Sequence, residues 1–151
     1  MNIAKASPCL PIVKVLDTNH IAELEENSGA GIRLRARLKA QDDDLATSIV
    51  TVEEHLRGWL ALIHRITDPH RQIHAYARLQ RQVDLFARWL VLPFDQAAAD
   101  QFRQFQKQGV RIGSMDLKIA CITIAHDATL LTRNTVDFAQ VPGLRFENWL
   151  D

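Results

Sequence analysis

The sequence predicts an α/β protein, a three-layer α/β/α sandwich whose helices cover both faces of a mostly parallel central sheet of about five strands. Two observations lead to this prediction. Short apolar runs rich in β-branched residues alternate along the chain with longer stretches of helical periodicity. The chain of 151 residues, 47% apolar and 24% charged, also has the length and composition of one globular domain. We therefore expect a single domain over residues 1–151, with its core at about 12–150.

The first half of the chain contains two expected strands and three expected helices. The strands are placed where apolar and β-branched residues are concentrated, at 12–16 and 45–50. The helices are placed from about His20, at 31–40 and at 51–66. The Asp68-Pro69 pair ends the third helix, because the residue before a proline is disfavoured in a helix.

The clearest helical pattern lies at 71–90. At about 100° per residue its basic residues fall on one side and its apolar residues on the other, the apolar set being Ile73, Tyr76, Leu79, Val83, Phe86 and Leu90. The remaining elements are expected as a strand at 91–94, a helix at 96–108, a helix from Ser114, a strand at 129–132 and a possible edge strand at 144–146.

Four acidic residues stand where expected strands pass into helices or turns. Asp17 ends the first strand, Glu54 and Asp116 lie in the first turns of their helices, and Asp137 follows the strand at 129–132. Ligand sites of parallel sheets lie beyond the carboxyl ends of the strands, so all four side chains can converge there. Carboxylates brought together repel one another unless hard cations such as Mg²⁺ or Mn²⁺ neutralise them. Metal held between carboxylates is the usual machinery for hydrolysing a phosphodiester.

Each acid also has a simpler structural explanation. Thr51 and Glu54 have the spacing of a capping box, Asp116 could stabilise a helix dipole, and Asp137 could be a solvated loop residue. Taken one at a time, these explanations are favoured for the three residues. Asp17 differs, because a carboxylate that closes a buried strand needs a partner, although a local turn with the two residues after it also stays open.

Composition argues against several classes of protein. No apolar run approaches the ~20 residues of a membrane span, and the first residues lack the apolar centre of a secretory signal. Only two cysteines, Cys9 and Cys121, are present, which argues against a disulfide framework and favours a reducing cytoplasm. Neither Cys-x-x-Cys nor His-Glu-x-x-His occurs, so zinc is not favoured. The formal net charge of zero argues against a general nucleic-acid coat.

Basic residues are nevertheless concentrated on some of the expected helices. Arg33 and Arg37 crowd the helix at 31–40, and Arg57 lies near one turn beyond Glu54. These arginines are candidates to contact RNA phosphates, and a solvated helix surface explains each of them equally well. His20 is likewise either a substrate contact or simply a residue at the start of a helix.

The four segments that contain these acids resemble, in order and spacing, the motifs of PIN-domain nucleases. The resemblance is closest to the VapC-type toxins of bacterial toxin–antitoxin pairs. The segments are Val15-Leu16-Asp17-Thr18-Asn19, residues 51–58 with the pattern Thr-x-x-Glu-x-x-x-Gly, residues 113–120, and residues 128–138. The likeness spans about residues 12–150, and four motifs in order are far more specific than any one of them alone.

The resemblance implies a compact α/β/α fold, a Mg²⁺-dependent endoribonuclease in which Mn²⁺ could substitute, a homodimer, and an antitoxin that blocks the site. It assigns the catalytic and metal-binding quartet to Asp17, Glu54, Asp116 and Asp137. It assigns supporting roles to Thr18, Asn19, Thr132 and Asn134, of which Asn134 could share the fourth position with Asp137. Two alternatives stay open: a PIN nuclease that processes RNA or cleaves DNA, and a catalytically silent binding module.

Overall fold

The computed structural model describes residues 12–151, which form one sheet with helices on both faces. Expectations that concern earlier residues, among them Cys9 and the N-terminal segment, lie outside the described residues. The described strands are β1 Val13–Leu16, β2 Asp44–Ser48, β3 Leu90–Leu92, β4 Thr129–Leu131 and β5 Arg145–Glu147. The described helices are α1 Thr18–Glu25, α2 Gly29–Ala40, α3 Ile49–Arg65, α4 Pro69–Ala87, α5 Gln96–Lys107, α6 Ser114–Ala125 and α7 Thr135–Phe138.

The sheet is parallel throughout and has β1 at its centre. Its strand order is β3-β2-β1-β4-β5, and every neighbouring pair is parallel. In the register, Leu16 at the end of β1 pairs with Thr47 on one side and with Leu131 on the other. The carboxyl ends of three adjacent strands therefore meet at one edge of the sheet, where side chains from distant parts of the chain can come together.

Two apolar clusters, one on each face of the sheet, confirm the predicted three layers. Successive strand residues point to opposite faces, so Val15 joins one cluster and Leu16 joins the other. The cluster with Val15 includes Phe105 of α5 and most of α6. The cluster with Leu16 includes residues of α1, α2 and α4, together with the C-terminal Trp149.

Helix α6 is apolar on most sides because the protein surrounds it. Its fully buried or nearly buried residues are Leu117, Ile119, Ala120, Cys121, Ile122 and Thr123. Even so, among the described helices neither α6 nor any other is long and apolar enough to cross a membrane. The burial of α6 fixes the position of its first turn, which carries Asp116.

Helix α3 begins two residues earlier than predicted, and this changes the interpretation of Glu54. Ser48 caps the helix, since its Oγ accepts a hydrogen bond of 3.0 Å from the Thr51 amide. The Thr51 hydroxyl is itself buried against Ser48 Oγ at 3.0 Å. The capping box predicted for Thr51 and Glu54 is therefore wrong, because Thr51 lies inside the helix and the Glu54 carboxylate is free for another role.

Helix α4 also differs from its prediction, in its bounds and in its packing. It begins at Pro69, with the Asp68 side chain capping the His70 amide at 3.2 Å, and it ends before Leu90, which belongs to β3. Of its predicted apolar side, Phe86 is buried, whereas Ile73, Tyr76 and Val83 are more than half exposed. Apolar periodicity identified the helix correctly, but the described chain covers only part of its apolar surface.

A close approach between α1 and α2 depends on Gly31. A Cβ atom at this position would overlap the Glu23 carbonyl oxygen and would lie 2.7 Å from the Glu26 carbonyl oxygen. Both are backbone atoms that a side-chain rotation cannot move. The two helices can therefore pack at this distance only with glycine at position 31.

We expect Gly31→Ala to lower the free energy of unfolding by at least about 2 kcal/mol, because the helices must separate to admit the methyl group. Gly58→Ala is the matched control, since Gly58 lies inside α3 and a Cβ there has no neighbour within 4 Å. That control should be neutral or stabilising by about 0.5–1 kcal/mol, through helix propensity. Urea unfolding of the two variants measures both effects, and equal stability of the two would contradict this account of the packing.

Candidate active site

Asp17 occupies the junction between β1 and α1 at the carboxyl edge of the sheet. It is 6% exposed, and it caps α1 by accepting a hydrogen bond of 2.7 Å from the Thr18 amide to Oδ1. Its Oδ2 accepts a second bond, of 2.8 Å, from the Thr132 hydroxyl at the end of β4. The carboxylate is thus fixed from two strands that are neighbours in the sheet but far apart in the sequence.

Glu54 joins Asp17 through a shared threonine. The Thr18 hydroxyl donates to Glu54 Oε2 at 2.7 Å, while the Thr18 amide holds Asp17. Thr18 follows β1 and Glu54 lies in the second turn of α3, so the bond ties the helix after β2 to the central strand. Thr18, predicted as a supporting residue, therefore lies between two of the predicted acids.

Asp116 and Asp137 are joined in the same way by Asn134. The Asn134 side-chain amide donates to Asp116 Oδ2 at 3.2 Å and to Asp137 Oδ2 at 3.0 Å. The Asn134 backbone amide donates to the Thr132 hydroxyl at 3.1 Å. One hydrogen-bonded network thus runs through Glu54, Thr18, Asp17, Thr132, Asn134, Asp116 and Asp137, and it brings the four predicted acids to one place.

The carboxylates are close enough to alter one another's ionisation. Burial first, and then the negative charges of Asp17, Glu54 and Asp137, together raise the pKa of Asp116 from 3.8 to about 6, although the hydrogen bond from Asn134 opposes the rise. Burial also raises the pKa of Asp17, while the hydrogen bonds from Thr132 and Thr18 oppose that rise. The site concentrates negative charge that the surrounding protein compensates only in part.

Within residues 12–151, no cationic side chain forms an ion pair with these four acids. The ion pairs of that part of the chain involve other acids, and none includes a member of the quartet. Within the same residues, no group of three histidine, cysteine or carboxylate side chains is arranged as a preformed set of metal ligands. The acids repel one another without enclosing a preformed ligand shell, and the Asn134 amide bridges two of them.

The donor atoms available in the site are all oxygens, from four carboxylates and two threonine hydroxyls. This set matches the preference of Mg²⁺ and Mn²⁺ and not that of soft metals, which favour sulfur and imidazole. Charge and donor type therefore fit a hard divalent cation.

The remaining predicted residues lie around the site with varied partners. Asn19 is exposed on the first turn of α1. Arg57 pairs with Glu53 at 3.0 Å, and Arg33 is exposed on α2. Arg37 lies 4.0 Å from the centre of the Trp149 ring and 3.9 Å from Glu147, so its guanidinium has protein partners.

His20 is a buried residue in the first turn of α1, as the simpler of its two explanations predicts. It is fully buried, and its Nε2 accepts a hydrogen bond of 3.3 Å from the Trp149 amide. Burial first, and then the charge of Arg133, lower the pKa of His20 to about 4, so the ring is neutral near pH 7. It attaches the C-terminal segment to α1.

Two residues near the site were not identified from the sequence. Thr47 is buried and donates to the Leu16 carbonyl at 2.9 Å, which fixes the carboxyl ends of β1 and β2. His55 directly follows Glu54 in α3 and contacts Phe86 edge to face, with 5.5 Å between the ring centres. A threonine near a strand end and a histidine beside a glutamate carry no distinctive signal, so only the fold reveals these roles.

Comparison with known proteins agrees with this geometry. The PIN domain family model matches residues 14–144. Ribonuclease VapC1 of Haemophilus influenzae is 27% identical over 141 residues, covering 91% of this chain and 98% of that protein. The tRNA(fMet)-specific endonuclease VapC of Shigella flexneri is 29% identical over 139 residues, covering 89% and 96%.

A solved structure supports the same assignment. The VapBC-1 structure from nontypeable Haemophilus influenzae superposes with a TM-score of 0.67 at 26% identity, covering 93% of this chain and all of that one (100%). The family match extends over most of the chain, and residues 14–144 include all four acids together with Thr18, Thr132 and Asn134. On this evidence the chain belongs to the PIN domain family.

Proposed function

We propose that this protein is a metal-dependent endoribonuclease and the toxin of a type II toxin–antitoxin pair. The observation that carries the proposal is the convergence of Asp17, Glu54, Asp116 and Asp137 at one edge of the sheet, with no cationic side chain of the described residues paired with them. The names of the ribonuclease and endonuclease relatives support the choice of RNA as substrate.

The four carboxylates would hold one or two Mg²⁺ ions, with Mn²⁺ as a possible substitute. When bound, the cation lowers the pKa of a water molecule and stabilises the negative charge that develops on the phosphate and the leaving oxygen. Asp17 and Asp116 are the central ligands in this proposal, and Glu54 and Asp137 complete the shell directly or through water.

The remaining chemistry belongs to side chains that position the acids. Thr18 and Thr132 hold the Asp17 carboxylate from both sides, and the Thr18 hydroxyl sets the direction of Glu54. Asn134 controls the separation of Asp116 and Asp137. These neutral donors fix the carboxylates without adding positive charge, so the site keeps its attraction for a divalent cation. No histidine base is required.

A cleavage assay tests the proposal and separates it from its alternatives. Purified protein should cut single-stranded RNA in Mg²⁺ and stop when a chelator is added, while a DNA strand of the same sequence should stay intact. Cleavage of DNA instead would favour the DNA-cleaving alternative. Absence of cleavage and of Mg²⁺ or Mn²⁺ binding would favour the silent binding module. Mapping of RNA 5′ ends in cells that express the active protein would then identify the target and separate a toxin from an RNA-processing enzyme.

Metal binding should weaken in mild acid. The pKa of Asp116 is raised to about 6, so protons compete with the cation below that pH and not above it. Between about pH 7.5 and pH 5.5 we expect the affinity for Mg²⁺ or Mn²⁺ to fall by at least about fourfold, from protonation of Asp116 alone. Isothermal titration with Mn²⁺ at the two pH values measures the change, and an unchanged affinity would contradict the role of Asp116 as a ligand.

The proposal includes two protein partners, an antitoxin and a second copy of the chain. Several solved relatives are complexes named VapBC, which supports an antitoxin partner. The exposed apolar residues Tyr76 and Val83 of α4, together with Leu90 on the edge strand β3, form the surface that we assign to the second copy. Light scattering should find a dimer, and Val83→Glu should convert it to a monomer. A dimer that survives this change would exclude that surface.

A further inference from the structure

We propose that a cleft beside the acidic cluster, lined by Ile49, Leu56, Phe94 and Lys118, binds a base of single-stranded RNA next to the scissile phosphate. The base would stack on Phe94, and Lys118 would contact a backbone phosphate. The inference rests on the proposed nuclease function, since it extends the substrate path away from the acids.

The cleft lies at the same edge of the sheet as the acids. It has a volume of about 380 Å³. Ile49 directly follows β2, and Phe94 comes two residues after β3, so both lie where these strands end. Strands are ~4.8 Å apart, which places the end of β3 about 10 Å from the end of β1 and Asp17. A few nucleotides span that distance.

The side chains of the cleft suit a nucleobase and its phosphate. Phe94 is fixed by an edge-to-face contact with Phe102, at 6.5 Å between ring centres. Ile49 is 43% exposed and offers an apolar wall. Lys118 Nζ lies 5.9 Å from the centre of the Phe94 ring. An aromatic platform with a neighbouring cation is the combination that binds single-stranded nucleic acid without regard to sequence.

Charge in the cleft favours an anionic chain. Lys118 takes part in no ion pair within residues 12–151. Glu53, the acid of the lining, pairs with Arg57 at 3.0 Å, which compensates its charge. The cleft therefore presents an ammonium group, two residues along α6 from Asp116, at the edge of the sheet where four carboxylates would repel a phosphate in the absence of metal. Lys118 would offset part of that repulsion.

Binding of a fluorescein-labelled single-stranded RNA, followed by anisotropy in EDTA, tests the cleft without any cleavage. Phe94→Leu keeps an apolar side chain but removes the stacking surface, and we expect the RNA to bind about tenfold more weakly. Lys118→Gln should reduce the slope of log affinity against log salt by about 0.7, and Lys118→Arg should restore it. Lys39→Gln is the control, because Lys39 lies at the end of α2 beside the opposite edge of the sheet.

Two results would overturn the proposal. Wild-type affinity in both Phe94→Leu and Lys118→Gln would exclude the cleft as an RNA site. Conversion of a dimer to a monomer by Phe94→Leu would show that a second copy covers it. Failure of the nuclease proposal is a separate outcome. If the wild-type protein does not cleave RNA but the two variants bind RNA more weakly than the wild type, the cleft is still an RNA-binding site.

Discussion

Asp116→Asn should abolish RNA cleavage and at the same time raise the melting temperature of the metal-free protein. Asparagine keeps the shape of the side chain but removes a negative charge from a cluster of four. We expect at least a thousandfold loss of rate, because a neutral amide cannot replace a central carboxylate ligand. We expect a gain in stability because the neutral amide avoids the cost of burying a charge, and because the charges of Asp17, Glu54 and Asp137 no longer repel a fourth.

The sign of the stability change follows from the ionisation of Asp116. Its pKa is raised from 3.8 to about 6, so the folded protein binds a proton more tightly than the unfolded chain. The contribution of Asp116 to stability therefore falls as the pH rises from about 4 to 6. A pKa shift of this size corresponds to a loss of at most about 3 kcal/mol in the free energy of unfolding, and solvent screening reduces this loss to the order of 1–2 kcal/mol. The stability advantage of Asp116→Asn over the wild type should therefore reach its full value above pH 6 and disappear near pH 4.

Thermal unfolding in EDTA, at about pH 7.5 and about pH 4.5, measures this advantage. The wild type is the reference at each pH. Because both proteins contain His20, the comparison cancels the contribution of this residue, whose lowered pKa makes the folded protein less stable as the pH falls below 6.5. Mg²⁺ should then stabilise the wild type and not the variant, since binding to the folded state raises stability. An inactive variant that melts lower than the wild type at neutral pH would contradict the charge repulsion described for the site.

Asp17→Ala should also abolish cleavage, but with a loss of stability. The variant removes a central ligand and two hydrogen-bond acceptors, one for the Thr18 amide and one for the Thr132 hydroxyl. We expect a rate reduced by several orders of magnitude, in a folded protein that is less stable by about 1–2 kcal/mol. Circular dichroism and the RNA cleavage assay report the two effects separately.

Asp68→Ala is the matched control for Asp17→Ala. Asp68 caps α4 through the His70 amide at 3.2 Å, so its loss imposes a similar capping defect away from the acidic cluster. It should lower stability and leave cleavage unchanged. Substantial activity in Asp17→Ala under Mg²⁺ would remove the basis for the assigned site, and equal loss of activity in Asp68→Ala would show that stability alone is responsible.

The fold and the acid quartet were accessible from the sequence because each leaves a local signal. Buried parallel strands such as β1 and β4 are short, mostly apolar segments, and the residue that follows such a strand lies at the ligand-binding edge. Asp17 is recognisable for that reason. The structure also explains why Glu54, taken alone, was assigned to a capping box, since Thr51 has the right spacing but Ser48 is the actual cap.

Features that depend on distant contacts were not accessible. The one-turn helix α7 is too short to show periodicity, although it positions Asp137. The exposure of Tyr76 depends on what packs against α4, which no local pattern encodes. The same holds for Arg37, whose position over Trp149 requires the C-terminal segment to reach α2. The hydrogen bonds of Thr18 and Asn134 likewise require residues separated in the sequence to meet.

The bond between Thr132 and Asp17 has a consequence for synthesis of the protein. It joins residues 115 positions apart, and β4 must insert beside β1 before the bond can form. A nascent chain that ends before this strand carries Asp17, Glu54 and Asp116 but lacks Thr132, Asn134 and Asp137, so we expect it not to cut the messenger that encodes it. A cell that translates this nuclease therefore meets its activity only after β4 and the residues that follow it have left the exit tunnel.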